Sequence, residues 1–173
     1  MSEFLQDGPT LSKNQFSTDS LLQDYLSAHL PADSYRDIKA DLERFGARVM
    51  GDILKMGEDA DNNPPVHIPF DAFGKRIDEI RVPGGWDEMA RVSAQEGLVS
   101  IGYERKYGPH SRLYQMAKNY LFAPSSAYYS CPLAMTDGAA KLIENFGSEA
   151  LKQSAFTHLT SRDPEFFGPP ANG

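Results

Sequence analysis

Apolar residues recur three and four positions apart along most of this chain, the spacing that lays them on one face of an α-helix. Asp19 reads as an N-cap, and Leu21, Leu22, Tyr25, Leu26 and His29 follow on one face before Pro31 ends the helix. Asp33 or Ser34 can cap the next helix, in which Tyr35, Ile38, Leu42, Phe45, Val49, Ile53 and Leu54 keep the spacing for about five turns. Gly57, with the acidic Glu58, Asp59 and Asp61, is expected to close it. A short helix follows from Trp86 to about Gly97 with Met89, Val92 and Leu98 inward, and another starts near Pro109 with Leu113, Met116, Ala117, Tyr120, Leu121 and Phe122. Beyond Pro132, Leu133, Ala140, Leu142, Ile143 and Phe146 mark a helix stopped by Gly147. Ser148 can cap a last helix with Leu151, Ala155, Phe156 and Leu159. No strand–helix alternation is visible, so the pattern predicts an all-α fold, a bundle of about six helices.

One stretch breaks the periodicity. From Asn63 to Trp86 the chain reads NPPVHIPFDAFGKRIDEIRVPGGW. Pro64-Pro65 blocks a helix, because proline lacks an N–H and restricts the residue before it. Ile68 and Phe70 are followed by Asp71-Ala72-Phe73-Gly74, with Asp first and Gly fourth as a type I turn prefers. Ile77, Ile80 and Val82 then lead to Pro83-Gly84-Gly85. The expectation is an extended β-hairpin-like insert at about 66–82. Residues 1–18 are polar and read as a flexible arm, 19–167 as the helical domain, and 168–173 as a tail with no element of its own.

Composition narrows the function classes. A length of 173 residues suits one domain with a real core, and no apolar run approaches the roughly 18–20 residues of a membrane span. A net charge of −7 opposes nonspecific attraction to phosphate backbones, so nucleic-acid binding by this segment is not expected. Cys131 is the only cysteine, which excludes an internal disulfide and a thiolate cluster. Glu3 and Asp7 lie near the start and the first arginine is Arg36, unlike a transit peptide. Cytoplasm is the simplest address, with the mitochondrion the alternative if the true N-terminus differs.

Three stretches together resemble the N-terminal helical domain of the acyl-CoA dehydrogenases, in their AidB-type, alkylation-response branch. The first comprises Asn63-Pro64-Pro65, Phe70-Asp71-Ala72, Gly74, Arg76, Asp78, Arg81 and Trp86. The second is Cys131-Pro132-Leu133-Ala134-Met135-Thr136, similar to the family's Cys-Pro-aliphatic-x-Met-Thr at a helix start. The third is Leu159-Thr160-Ser161-Arg162-Asp163, where the helical domain closes. The resemblance implies a full-length FAD-dependent oxidoreductase that abstracts a proton beside a thioester carbonyl of an acyl-CoA and passes a hydride to the flavin. The family's flavin-binding motif and catalytic base have no counterpart in this sequence. The chain alone is therefore expected to be a truncated piece without a cofactor or turnover. A homo-oligomer or association with family members is expected, with a large apolar face where the β-domain would dock. The alternative is a non-enzymatic helical interaction or regulatory module.

In such a domain, the candidates for one wall of the acyl pocket are Tyr128, Tyr129, Met135 and Thr136, because the resembling motif opens a helix toward the substrate cleft. Core packing is the competing reading for Met135 and the tyrosines, and a bond to a helical carbonyl for Thr136. Cys131 reads as a buried structural cysteine. His29, His67, His110 and His158 lack metal-ligand spacing. Gly84-Gly85 reads as a turn, and Trp86 as an anchor packing the hairpin on the bundle. Lys75, Arg76 and Arg81 are read as a solvated face paired with Asp78 and Glu79. Arg105-Lys106 with Arg112 is open between an anion site and solvated charge.

Overall fold

A computed structural model describes residues 11–167; the readings made above for residues 1–10 and for the 168–173 tail lie outside them. The elements are α1 (Gln15–Thr18), α2 (Ser20–His29) and α3 (Ala32–Arg48), which continues through a π-helical stretch (Val49–Ile53) into α4 (Leu54–Asn62). The hairpin strands β1 (Val66–Phe70) and β2 (Arg76–Arg81) come next, then α5 (Gly84–Gln95), α6 (Ile101–Glu104), α7 (Ser111–Phe122) and α8 (Ser130–Phe146). The last rod joins α9 (Glu149–Leu151), a second π-helical stretch (Lys152–Phe156) and α10 (Thr157–Leu159). Counting joined segments once, six long helical rods carry the described fold, with two single turns and one antiparallel hairpin. The all-α bundle with a hairpin insert is thus what the chain forms. None of its described helices is long and apolar enough to cross a membrane.

The core is built from the residues that periodicity put inward. Ile38, Leu42, Phe45, Val49 and Ile53 from the α3 rod meet Met89 and Val92 of α5, Leu98, and Leu121 and Phe122 of α7, all buried. Asp19 caps α2 as expected, its carboxylate accepting from Leu22 N at 2.8 Å. The other α2 positions differ: only Leu26 is buried, while Leu21 and Tyr25 face outward and Tyr25 stacks on His29 at 4.1 Å. Periodicity defines a face but not whether a neighbour covers it.

Three local expectations change. The α3 helix begins at Ala32 behind Pro31 with no side-chain cap, and Asp33 sits in the first turn, where its charge complements the helix dipole. Gly57 does not stop the rod, which runs on to Asn62. A Cβ at Gly57 would lie 2.3 Å from the Ser125 carbonyl oxygen, so this glycine serves close backbone approach. Within the stretch read as an arm, Asn14 caps α1 by accepting from Ser17 N at 3.1 Å, and Phe16 is fully buried. Ordered structure therefore begins before Asp19.

The hairpin turns as its residues dictate. Asp71 O accepts from Gly74 N at 3.2 Å, Gly74 takes φ 81°, and Asp71 Oδ1 accepts from Phe73 N and Lys75 N, each at 2.9 Å. The register shifts between Ile68 and Phe70, where Pro69 has no N–H to offer, and Asp78 opposite adopts φ 48°. Arg76 pairs with Asp78 at 2.6 Å and Arg81 with Glu79 at 3.2 Å, as read from the sequence. The ribbon stands away from the bundle: only Ile68 among its strand residues is half-buried, and Phe73 at the turn is 97% exposed. Trp86 instead meets Tyr129 edge-on at 4.8 Å, tying the start of α5 to the loop before α8.

Candidate functional site

The loop entering α8 separates the four candidate residues. Ala127 and Tyr128 adopt φ 43° and 71°, a left-handed pair that non-glycine residues rarely form. This geometry leaves the Tyr128 side chain 81% exposed, whereas Tyr129 turns inward against Trp86. Burial, aided by the nearby Asp87 charge, raises the Tyr129 hydroxyl pKa. Met135 lies on the outer face of α8, 71% exposed, and Thr136 Oγ1 donates to the Pro132 carbonyl at 2.8 Å. Tyr128 and Met135 are therefore both exposed, while Tyr129 packs against Trp86 and Thr136 bonds back into the first turn of the helix. Cys131 is exposed rather than buried, because the second residue of α8 points away from the core.

A groove of about 640 Å³ runs between α7 and α8, and none of the four candidates lines it. Leu98, Met116, Leu133 and Ala134 give it apolar walls. Its polar floor is already hydrogen-bonded: Gln115 Nε2 and Asn119 Nδ2 both donate to the Leu98 carbonyl at 2.9 Å. Arg112 Nη1 reaches both Asp137 oxygens and Gln115 Oε1 at 2.7 Å, with its guanidinium 4.7 Å over the Tyr103 ring. Tyr103 donates to Asp137 Oδ1 at 2.6 Å; burial, then that bond, pushes its pKa up to about 12. Arg105 and Lys141 both pair with Glu144.

A second polar cluster lies inside the bundle. Lys118, 2% exposed, puts Nζ 2.9 Å from Asp41 Oδ2 and 2.8 Å from Glu96 Oε2, and 4.7 Å over the Phe45 ring. Arg44 shares Glu96 Oε2 with Lys118 at 2.5 Å, Arg48 takes Glu96 Oε1 at 2.7 Å and also binds Asp52, and Tyr114 donates to Asp41. Burial alone would raise the Glu96 carboxyl, but the Arg44 bond, the Lys118 charge and bond, and the Arg48 bond outweigh it and pull the pKa to about 2. The same competition lowers Asp41, chiefly through the Lys118 charge. Sequence reasoning missed this cluster. Its signal was present: Asp41, Arg44, Arg48 and Asp52 are three and four apart, and Lys118 shares the inward face of α7 with Tyr114 and Leu121.

What these groups can do is position and bind. Among the described residues, no set of three or more His, Cys, Asp or Glu side chains is arranged to hold a metal ion. A flavin dinucleotide needs donors for its ring and cations for its pyrophosphate. The groove's donors are committed to the Leu98 carbonyl, and Arg112 and Lys141 to Asp137 and Glu144. The described residues do not fit FAD by themselves.

Comparison with known proteins agrees with the resemblance. Residues 6–165 match the family described as the adaptive response protein AidB N-terminal domain. Acyl-CoA dehydrogenase family member 11 of Caenorhabditis elegans is 39% identical over 165 residues, covering 93% of this chain but 27% of that protein. The putative acyl-CoA dehydrogenase AidB of Escherichia coli is 27% identical over 90 residues, 52% of this chain and 17% of its own length. Among solved structures, Bd2924 in its apo-form superposes with a TM-score of 0.89 at 48% identity, covering 95% of this chain and 32% of that one. Caenorhabditis elegans ACDH-11 in complex with C11-CoA superposes at 0.88 with 37% identity, covering 96% and 29%. The chain thus spans about three tenths of these two structures, and it belongs to the AidB-type N-terminal domain family of the acyl-CoA dehydrogenases.

Proposed function

We propose that this chain serves as the N-terminal helical domain of an FAD-dependent oxidoreductase acting on acyl-CoA thioesters. The observation that carries the reading is its uncovered apolar surface. Met135, Leu142 and Phe146 on α8, with Tyr25, Met116 and Tyr120 on α2 and α7, are exposed large side chains on a chain that matches only part of its relatives. Such surface fits a place against further protein. FAD, held by the remainder of the parent, supplies hydride acceptance. Tyr128 and Met135 form one wall of the acyl site, and Tyr129 and Thr136 fix the helix start that presents them. The relative solved with C11-CoA supports a thioester substrate. Association with like chains and a cytoplasmic address belong to the same reading.

A domain replacement tests it. Residues 6–165 of this chain take the place of the matching part of the 39%-identical relative. Anaerobic bleaching of the flavin by an acyl-CoA is the expected result. A replacement that retains flavin yet is never reduced counts against the proposal.

A further inference from the structure

The last described residues fold back over the bundle as a strap. After α10 the chain turns on two side chains: Ser161 Oγ accepts from Asp163 N and Asp163 Oδ1 from Glu165 N, each at 3.0 Å. Phe166 N and Phe167 N both return to the Asp163 carbonyl. His158 Nδ1 donates to the Phe166 carbonyl at 2.8 Å with the two rings stacked at 3.6 Å, and Phe167 packs against the core. Two arginines fasten the strap. Arg91 of α5 pairs with Glu165. Arg162 donates through Nε and Nη2 to Glu104 Oε1 and Oε2 at 2.5 and 2.9 Å, and through Nη1 to the Gln95 carbonyl at 3.3 Å.

Arg162 is the firmer of the two fasteners. A guanidinium fork on both carboxylate oxygens fixes direction as well as charge. Its bond holds the Glu104 carboxyl below the ordinary range, against the opposing effect of burial. The turn between α5 and α6 is also shaped for it. Gly97 takes φ 67°, and an added Cβ would stand 2.6 Å from the Arg162 guanidinium carbon, so glycine is required there on both counts. Yet both arginine pairs are partly exposed, and Phe167 is the strap's apolar contact with the core. A segment held mainly by exposed polar contacts opens more readily than the core it rests on.

We propose that Arg162 is a positioning residue: clamped on Glu104 and Gln95, it holds residues 160–167 on the α5–α6 corner and so sets the direction in which the rest of the parent leaves this domain. The clamp is a property of this chain, whereas the directional role rests on the dehydrogenase reading, in which an N-terminal domain leads into the remainder. Hydrogen exchange on the 173-residue chain tests the clamp. Arg162→Gln and Glu104→Gln each speed exchange of the Phe166 and Phe167 amides at least about tenfold, while the α7 amides exchange as in the parent. The double variant adds little to either single one, because both remove the same contact. Arg162→Lys keeps the charge without the fork and recovers only part of the protection. The directional role is read in the replacement protein carrying residues 6–165. There Arg162→Gln keeps flavin in the parental amount but is bleached by saturating acyl-CoA at least about fivefold more slowly, and Arg162→Lys recovers part of the rate. The proposal is overturned by parental exchange of the Phe166 and Phe167 amides in Arg162→Gln, by exchange that rises equally in α7, or by an Arg162→Gln replacement that bleaches at the parental rate. An unmodified replacement that never bleaches removes the dehydrogenase reading and the directional role with it, and leaves the clamp to stand or fall on the exchange result.

Discussion

Replacing Lys118 by methionine removes one ammonium from the buried cluster while keeping most of the side chain's length. Lys118 is 2% exposed and bonds both Asp41 and Glu96, which is 5% exposed. Removing one partner of a buried ion pair costs about 3–5 kcal/mol, largely because the other charge stays buried. Here Glu96 keeps Arg44 and Arg48, and Asp41 keeps Arg44 and Tyr114. The expected loss is therefore at the lower end, about 3 kcal/mol. With a urea dependence of about 2 kcal/mol per molar, the unfolding midpoint falls by about 1.5 M. Urea titration followed by circular dichroism reads this directly. A double-mutant cycle with Glu96→Gln should give a coupling above about 1 kcal/mol. A midpoint shift under about 0.3 M with no coupling would show that Lys118 acts only as packed hydrocarbon.

Other outcomes follow from the same structure. Glu96 titrates at about 2 in the folded chain against an ordinary value of 4.5, so it contributes stability above about pH 4.5 that is lost as pH falls toward about 2. That contribution is about 3 kcal/mol, and acid unfolding of Glu96→Gln should show a correspondingly flatter dependence over this interval. Phe16→Ala, at a fully buried position, should cost about 3–5 kcal/mol; a loss below about 1 kcal/mol would mean that α1 is not part of the cooperative core. Gly57→Ala forces a Cβ against the Ser125 carbonyl and should lower stability by about 1–3 kcal/mol, visible as a reduced melting temperature. Phe73→Ser, at the exposed hairpin turn, should stay within about 0.5 kcal/mol of the parent; a larger loss would show that the ribbon packs on the bundle in solution.

The bundle was legible because burial follows helical period: the α3 stripe named from spacing fills the core, and so do Ala117, Leu121 and Phe122 of α7, although Met116 and Tyr120, named with them, face outward where no neighbour covers them. The hairpin was legible because Pro64-Pro65 and Asp71–Gly74 leave the backbone few alternatives. What spacing could not show was partner choice across the fold. Gly57 looks like a helix stop in sequence, and only its approach to Ser125, far along the chain, shows another role. Lys118 interrupts an apolar stripe, and only the fold brings Asp41 and Glu96 to it. The same limit applies to the site. The Cys-Pro motif identified the start of α8, but the left-handed Ala127-Tyr128 pair decides which side chains face outward. Groove residues Arg112, Asp137 and Gly138 meet only when α7 and α8 pack.

On the proposed reading, this domain supplies a wall for an acyl site and leaves the flavin to the rest of its parent. Visible flavin absorbance, measured after incubation with excess FAD and desalting, tests it most directly on two samples: this chain alone and the replacement carrying residues 6–165 within the full-length relative. A colourless isolated chain and a yellow replacement protein that bleaches on addition of an acyl-CoA are expected. An isolated chain that retains FAD in equimolar amount would contradict that reading.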